Sequence, residues 1–452
     1  MLKKTIIILI ISFYSLYAQS FDGIGLGMAG NYTAISKGIN SITLNPANLA
    51  LVRGNNVEVN LFSLRQNIYN NSFSYYEYNR YFTAEGNKGF WTEYDKNAII
   101  YTIQDDGIEI NQDFTANILG FAINNFAFAV QAVEQGAIHL ASSKRPFEIA
   151  LFGDDLTKNY SYSDPEVANM DAYSAIKFTL GYAYPLNLKL FKDFYWKSVG
   201  MNFNYLVGTA VAQSLESDIY LHRKLVGDDD TDVIMYRANF NARFSIPGAA
   251  TEESEDIQWD ETSGYTCGRG MGIDLGVNFN FAKKWDFSWS VNNLFTSINW
   301  NTNTMLSYQK FSDSLKTTDL FNGEDSPNEV QEDSIVAIGD FSTPLPSVMR
   351  LGAAYHLLNN LVITAEYRQG FDNYFGNTTT PRFGAGVQYI VNEMFPLRCG
   401  VSFGGKYGYL LGLGTGFYAG FFHFDISTAI SRAAWPSSTT GIFSAINFKF
   451  VF

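Results

Sequence analysis

The sequence predicts an all-β protein, a transmembrane antiparallel β-barrel of about 14 strands, with about 16 as the alternative count, and a small N-terminal hatch segment in its lumen. Three observations lead to this fold class. Apolar and polar residues alternate along one strand-length segment after another, the chain ends on an amphipathic strand, and tight turns alternate with long connections. A soluble sandwich would also alternate, so the aromatic load of the apolar face and the end of the chain decide between the two.

The first element is a predicted secretory signal peptide, residues 1–20. Lys3 and Lys4 precede an apolar run over 6–17, and small residues at 18–20 supply a cleavage site. The run is too short to span a bilayer as a helix. Because no cysteine follows it, a lipid anchor is not expected, and a retained N-terminal anchor is the alternative.

The remaining chain has a membrane-like composition without membrane-spanning helices. Aromatic residues make up 16% of the chain, charged residues only 17%, and there are 38 glycines, whereas about 25% of residues are charged in a typical soluble domain. The longest apolar run, 410–424, is interrupted by four glycines. Cys267 and Cys399 are too few for a disulfide framework, and Cys399 lies on the apolar face of a strand pattern.

Charge excludes one class of partner. The net charge of −13 argues against nucleic acid, which calls for a basic patch. The acidic residues concentrate at 227–232, 252–256 and 313–333, between strand-like stretches, so they are expected on solvated loops. None of these clusters matches a calcium-binding loop of about 12 residues.

Residues 272–281 show the strand pattern most clearly. Ile273, Leu275, Val277, Phe279 and Phe281 share one face, and Gly272, Asp274, Gly276, Asn278 and Asn280 share the other. The first face suits lipid and the second suits a polar lumen. The same alternation recurs at 287–292, 361–368, 382–389 and 422–427.

The last strand-like segment is 445–452. Ile446, Phe448, Phe450 and Phe452 lie on one side, with Asn447 and Lys449 on the other. Ending on an aromatic residue, it resembles the C-terminal signal of bacterial outer-membrane barrels. This resemblance implies Phe452 as an assembly signal, the barrel-assembly machinery and outer-membrane lipid as partners, and the outer membrane of a Gram-negative bacterium as location.

The connections alternate in length, as in bacterial barrels. Tight turns are expected at 124–125, 283–284, 359–360 and 392–393, and long connections at 135–172, 246–270, 297–346 and 371–381. Sixteen candidate strands result, of which the first and sixth have a weak pattern; they begin near 55, 113, 126, 173, 196, 213, 232, 271, 285, 347, 361, 382, 395, 407, 419 and 441.

The stretch ahead of these strands carries a motif. It contains Gly27-Met28-Ala29-Gly30, Ala34, and Asn45-Pro46-Ala47 followed by Leu49 and Ala50. These residues resemble the N-terminal region of FadL-type outer-membrane transporters of long-chain fatty acids and of related Bacteroidetes barrels, including the barrel partner of type IX secretion. The segments at 268–281 and 345–355 are similar to strands of the same superfamily.

This resemblance implies a hatch at 21–54 inside a barrel at 55–452, with Asn45, Pro46 and Ala47 against the wall near the periplasmic end. The residue types suit that place. Pro46 fixes φ and lacks an amide donor, Asn45 can bond its own backbone, and Ala47 permits close approach. The alternative is an ordinary Asn-Pro turn before a helix. The chain departs from the fatty-acid transporters in one feature that bears on the substrate. Its long connections carry acidic clusters and only scattered aromatics, such as Trp259, Trp300 and Phe321. The fatty-acid transporters present an apolar groove there.

No enzyme activity, cofactor or metal site is predicted. The four histidines fall at no metal-ligand spacing, and no nucleophile elbow or phosphate loop is present. His423, Asp425 and Ser427 share an inward face, but alternate residues on one strand do not converge on one proton, which argues against a hydrolase.

The inward charges are the other candidate site. By parity they are Arg243, Asp274, Arg350, Glu366, Arg368, Arg382 and Asp425. They either brace the barrel, with Asp274 paired to an arginine, or line a conduction path; bracing is the favoured role.

Two functions remain. The first is passive transport of hydrophobic or amphipathic small molecules, gated by the hatch. The second is a non-conducting structural or adaptor barrel that serves a protein partner of a secretion or surface-anchoring system. A transporter should contain a continuous or hatch-gated cavity, whereas an adaptor should be filled.

Overall fold

The computed structural model describes residues 23–51, 57–87, 89–153, 160–224, 233–251, 257–259, 264–316 and 330–452. The predicted signal peptide, the acidic clusters at 227–232 and 252–256, Phe321 and most of 313–333 lie outside these residues, so the expectations for them stay predictions.

The strands of the described residues are, in chain order, β1 Val57–Asn70, β2 Ile108–Ile123, β3 Phe126–Leu140, β4 Tyr160–Asp164, β5 Ala168–Phe191, β6 Phe194–Lys224, β7 Val233–Ser245, β8 Ala249–Thr251, β9 Ile257–Trp259, β10 Gly268–Phe281, β11 Trp285–Trp300, β12 Thr304–Lys316, β13 Val330–Ala337, β14 Phe341–Pro344, β15 Val348–Leu358, β16 Leu361–Gly370, β17 Arg382–Val391, β18 Phe395–Gly404, β19 Tyr409–Ala419, β20 Phe422–Ser431 and β21 Gly441–Val451.

A closed antiparallel barrel of 14 strands forms from β1, β2, β3, β5, the first half of β6, β10, β11 and β15 to β21. The first and last strands close it: the amide of Val57 donates to the carbonyl of Phe452 at 3.0 Å, and the amide of Phe452 donates to the carbonyl of Val57 at 2.8 Å. The predicted fold class and its lower strand count are therefore confirmed. The weak first candidate, β1, is a full member of the barrel.

Two of the sixteen candidates are not barrel strands. The segment near 213 continues β6, which runs for 31 residues, and its second half leaves β10 to pair with β7. Together with β4, β12 and β13, these strands extend the sheet beyond the barrel. β12 and β13 lie in 297–346, which was wrongly predicted to be a long loop. This extension carries partly exposed ion pairs, such as Asp218 with Arg237 (3.9 Å) and Lys310 with Glu332 (3.8 Å).

The barrel alternates as predicted, with small and polar side chains inward. In β10, Gly272, Asp274 and Asn278 are buried, while Met271 is largely exposed on the outer wall. Large apolar side chains cover that wall, among them Phe203, Leu351, Phe383, Leu413 and Ile442. Cys399 is exposed on the same face, Cys267 is buried, and both are free thiols. So much contiguous apolar surface is unlike a soluble monomer.

The two barrel ends differ. Tight turns at 124–125, 283–284, 359–360 and 392–393 join the strands at the end where Val57 and Phe452 meet, which we call the short-turn end. The opposite, long-loop end carries connections that contain helices.

The helices of the described residues are α1 Gly23–Gly27, α2 Tyr75–Phe82, α3 Ala84–Asn87, α4 Glu93–Thr102 and α5 Arg145–Phe152. None of α2 to α5 was predicted. Capping boxes begin α2 and α4: Ser74 pairs reciprocally with Glu77, and Thr92 with Asp95. Among the helices described, none is long and apolar enough to cross a membrane.

Candidate functional site

Residues 23–51, which we call the N-terminal segment, lie inside the barrel and are almost entirely buried. The segment contains α1 and three short 3-10 helices, Thr33–Ile35, Gly38–Ser41 and Pro46–Leu51. In chain order these contact β18 to β21, then β11 and β15, then β1 to β3, and finally β5, β6 and β10. The segment therefore crosses the lumen and contacts the wall on several sides.

Glycines in the wall let the segment approach closely. A Cβ on Gly200 would overlap the backbone of Pro46 and Ala47, and one on Gly276 would overlap the side-chain oxygen of Asn45. Both glycines belong to the inward face of their strands, five to seven residues from the short-turn end. The segment thus fills the half of the lumen next to that end.

The structure brings Asn45, Pro46 and Ala47 together against β6 and β10. The Asn45 side-chain amide donates to the carbonyl of Val277 at 3.0 Å, and its oxygen accepts from the amide of Ala47 at 3.0 Å. The hydroxyl of Ser198 donates to the carbonyl of Ala47 at 2.7 Å. The motif is a point of attachment, and its role in gating stays a prediction.

The wall supplies partners for the irregular backbone of the segment. Asn202, Ser290 and Ser402 donate to the carbonyls of Ile42, Leu44 and Ala29 at 2.6 to 2.7 Å. Carboxylates accept from its amides: Glu366 from Tyr32 and Thr33, and Glu58 from Ile39, at 3.0 to 3.1 Å. Buried backbone needs such partners, so inward polar residues of many strands hold this segment.

Buried ion pairs connect different parts of the wall. Arg398 and Asp425 meet at 2.7 Å with both side chains fully buried, and Arg350 meets Glu366 at 3.2 Å. Lys449 with Glu58 (3.2 Å) and Lys406 with Asp113 (3.7 Å) complete the set of close buried pairs that we describe.

Two predicted inward charges have other surroundings. Asp274 accepts from the side chain of Asn202 at 2.9 Å and from the amide of Asn293 at 2.7 Å, rather than from an arginine. Arg243 bonds Gln213 at 2.9 Å but belongs to β7, so it lies in the extension and not in the barrel lumen.

Sequence reasoning missed several lumen charges: Glu58, Arg65, Asp113, Arg398, Lys406 and Lys449. Arg398 could have been found by parity, because Leu397 and Cys399 face outward on either side of it. Lys406 could not, because it lies in the 405–408 turn.

His423, Asp425 and Ser427 do not form a catalytic arrangement, because each of these side chains contacts other groups. Asp425 is bound by Arg398 and by the hydroxyl of Tyr418 at 3.1 Å, Ser427 donates to the carbonyl of Gly23, and His423 stacks on Tyr418 at 4.2 Å between ring centroids. In the part of the chain that the structure describes, no group of three or more His, Cys, Asp or Glu side chains could hold a metal ion.

An apolar cluster lies in the other half of the lumen. Phe375, from the connection 371–381, packs edge-on against Tyr173 with centroids 4.7 Å apart. Trp300 belongs to the same cluster. It was expected in a loop but is fully buried at the end of β11, where its indole donates to Thr343 at 2.8 Å.

The cavities described inside the barrel are small, about 40 and 50 Å³. A larger groove of about 590 Å³ is open on the outer wall and lined by apolar residues, including Leu397, Leu413, Ile426 and Ile446. Gly414 and Ser427 in its floor touch Gly27 of α1 from the other side.

One family model, described as a family of unknown function (DUF5723), matches residues 46–428. The chain belongs to the DUF5723 family. No curated protein matches this DUF5723 chain in sequence.

Solved structures of similar fold are transport barrels. The Ralstonia pickettii toluene transporter TbuX is 12% identical, with a TM-score of 0.46, and the match covers 97% of this chain and 100% of that one. A Pseudomonas aeruginosa FadL homologue is 11% identical (TM-score 0.45; 97% and 99% covered), and the monoaromatic hydrocarbon channel CymD is 12% identical (TM-score 0.47; 95% and 97% covered). These are FadL- and TodX-type barrels; kinship with Bacteroidetes and type IX proteins stays a prediction.

Proposed function

We propose that this DUF5723 protein is a passive transporter of hydrophobic or amphipathic small molecules in the outer membrane of a Gram-negative bacterium, and that the N-terminal segment is its gate. The described structure is then the closed state. One observation carries the proposal: the segment that fills the lumen is a separate, irregular element, held by side chains of the wall and not part of the sheet.

The apolar outer wall supports the location. Only helices and closed barrels satisfy every backbone group in lipid, and this barrel is closed through Val57 and Phe452. Short turns at one end and long connections at the other are typical of outer-membrane barrels, with the short turns in the periplasm. The N-terminal segment would then lie at the periplasmic side.

The energetics of the contacts support a gate that can move. A neutral hydrogen bond contributes about 0.5–1.5 kcal/mol net, because water replaces the lost partner. Water that enters an opened lumen could form hydrogen bonds with the serine and asparagine side chains that the segment no longer contacts. The outer groove, with α1 directly behind its floor, supports an apolar ligand near the same element.

A reversible tether tests the gate. The segment continues to β1 at its C-terminal side, so a bond at Gly23 would fix it at both ends. A Cβ on Gly23 would lie 3.3 Å from the Cβ of Asn447. This is close to the Cβ–Cβ distance of about 3.5–4.5 Å that disulfides usually have. We propose the pair Gly23→Cys and Asn447→Cys in a background where the exposed Cys399 is changed to Ala.

The readout is uptake of a hydrophobic fluorescent probe into proteoliposomes. Uptake should be lost on oxidation and return on reduction, while each single cysteine variant stays insensitive to redox state. Equal uptake by the oxidised and reduced double variant would contradict gating by this segment.

A second candidate is the non-conducting adaptor. The filled lumen favours it, and so does the long-loop end, where Tyr76 is 58% and Tyr101 87% exposed. Tyr75, Tyr78 and Tyr94 are exposed beside them. The expectation of only scattered aromatics on the loops was therefore wrong, because the connection 71–107 was not recognised as a helical cap. Tyrosine is enriched at protein–protein contacts.

Planar-bilayer recording separates the two functions. Deletion of residues 23–51 should open a conductance in a transporter. In an adaptor, conductance should stay near zero, and a protein that copurifies in mild detergent should be lost when the exposed tyrosines are changed to serine.

A further inference from the structure

Three arginines stand side by side on the inner wall. Arg350 on β15 is directly opposite Arg368 on β16, and Arg368 is directly opposite Arg382 on β17. Arg350 is 6% and Arg382 3% exposed. Like charges directly opposite each other on adjacent strands are destabilising, and burial increases that cost. Such a row requires compensation.

The carboxylates nearby are already engaged. Glu366 accepts from Arg350 with one oxygen and from two amides of the N-terminal segment with the other. Asp113 accepts from Tyr407 at 2.8 Å and from Asn67 at 3.3 Å, and Lys406 lies 3.7 Å away.

Further positive charge adjoins the row. Arg65 and Lys406 are both in electrostatic contact with Arg368. In the described structure the one hydrogen bond of the Arg368 side chain is to the neutral side-chain oxygen of Asn377, at 3.5 Å, and its buried Nε has no hydrogen-bond partner. Asp113 and Glu366 attract Arg368 electrostatically without a hydrogen bond to it. The described cations of this region, Arg65, Arg350, Arg368, Arg382 and Lys406, outnumber the carboxylates Asp113, Glu366 and Glu109.

We propose that Arg350, Arg368 and Arg382 form an oxyanion-binding site in the lumen. The planar guanidinium presents parallel donors that match phosphate, sulfate or carboxylate oxygens, and arginine-lined constrictions select anions in membrane pores. The site lies between the N-terminal segment, which Glu366 contacts, and Asn377 of the connection 371–381. A cavity of about 50 Å³ reaches Arg350 and is also lined by Lys177 and Asp274.

Binding is tested on the full chain in neutral detergent. Equilibrium dialysis with radiolabelled inorganic phosphate measures affinity, and thermal unfolding is compared in phosphate and in chloride at equal ionic strength, which separates binding from screening. Wild type should bind phosphate and unfold at a higher temperature in phosphate. Arg368→Gln and Arg382→Gln should weaken binding at least about tenfold. Arg243→Gln, which changes an arginine of the extension, is the matched control.

A second arm distinguishes the source of the oxyanion. Competition by an alkyl phosphate far stronger than by inorganic phosphate assigns the site to the headgroup of an amphiphile, and equal competition assigns it to a free anion; both support an oxyanion site. If a Gln variant does not fold, Arg368→Lys is used instead, because it keeps the charge and removes the parallel donors of the guanidinium group. Absence of phosphate, sulfate and acetate binding by wild type at millimolar concentrations, or wild-type affinity in Arg368→Gln, would overturn the proposal.

Discussion

Arg398 and Asp425 show how charges brace the barrel. Their side chains are fully buried and meet at 2.7 Å. Removing one partner leaves an uncompensated buried charge, so Arg398→Gln or Asp425→Asn should each lower the free energy of unfolding by about 3–5 kcal/mol. The double change should cost less than the sum. Denaturant unfolding of the refolded barrel measures this, and strict additivity would refute the pairing.

Asn45 carries the second prediction at this scale. Asn45→Ala removes its bonds to Val277 and Ala47, a loss of about 0.5–1.5 kcal/mol for each bond. Because Asn45 belongs to no barrel strand, the membrane yield should stay unchanged. A leak current or faster probe uptake should appear. Pro46→Gly should act in the same direction. Lys37→Ala, at an exposed position of the same segment, is the control. Wild-type uptake and conductance in both variants would reduce the motif to an ordinary turn.

At the scale of elements, β4 is fixed to the neighbouring connection through Asp164. Burial disfavours its charge, but hydrogen bonds from Glu166, Ser142 and Tyr162 outweigh burial and hold the pKa of this carboxyl below its ordinary value. A folded pKa below the unfolded one stabilises the element above the unfolded pKa, and this contribution is lost as pH falls through the folded pKa.

Acidification should therefore loosen the backbone at Ser142 and Glu166 before the barrel. Hydrogen exchange of the Ser142 and Glu166 amides, compared near pH 6 and near pH 3, should accelerate at the lower pH beyond the intrinsic rate. Asp164→Asn should exchange fast at both values. Unchanged protection of these amides at low pH would contradict the account.

Predictability from the sequence differed between elements for physical reasons. A barrel strand has one face toward an apolar exterior and one toward a polar lumen, so the alternation at β10, β16 and β20 identifies both fold and side-chain direction. The second half of β6 alternates too, and only its partner β7 shows that it has left the barrel. The arginine row depends on strand register, because Arg350 and Arg368 become neighbours only through the pairing of β15 with β16.

At the scale of the whole molecule, two parts of the chain that are far apart in sequence occupy the lumen. The N-terminal segment fills the short-turn half, and Phe375 of the connection 371–381 packs with Trp300 of the wall in the other half. Polar contacts hold the first part and apolar packing holds the second. Residues 23–51 and the connection 371–381 could each be displaced without breaking a barrel strand, since neither belongs to the ladder that closes the wall.

Closure of the wall is the subject of the last prediction. Phe452 makes two backbone hydrogen bonds with Val57, but the ladder between β1 and β21 continues from Glu58 to Tyr69 without it. Deletion of Phe452, or Phe452→Asp, should therefore leave a detergent-refolded barrel with β-type circular dichroism and heat-modifiable migration. The ring of Phe452 is largely exposed and therefore accessible to the assembly machinery. The yield of both variants in the cell membrane should fall sharply. Phe452→Tyr should keep normal yield, because the terminal aromatic remains. Equal membrane yield of the truncated and full-length chains would show that the ring is not an assembly signal.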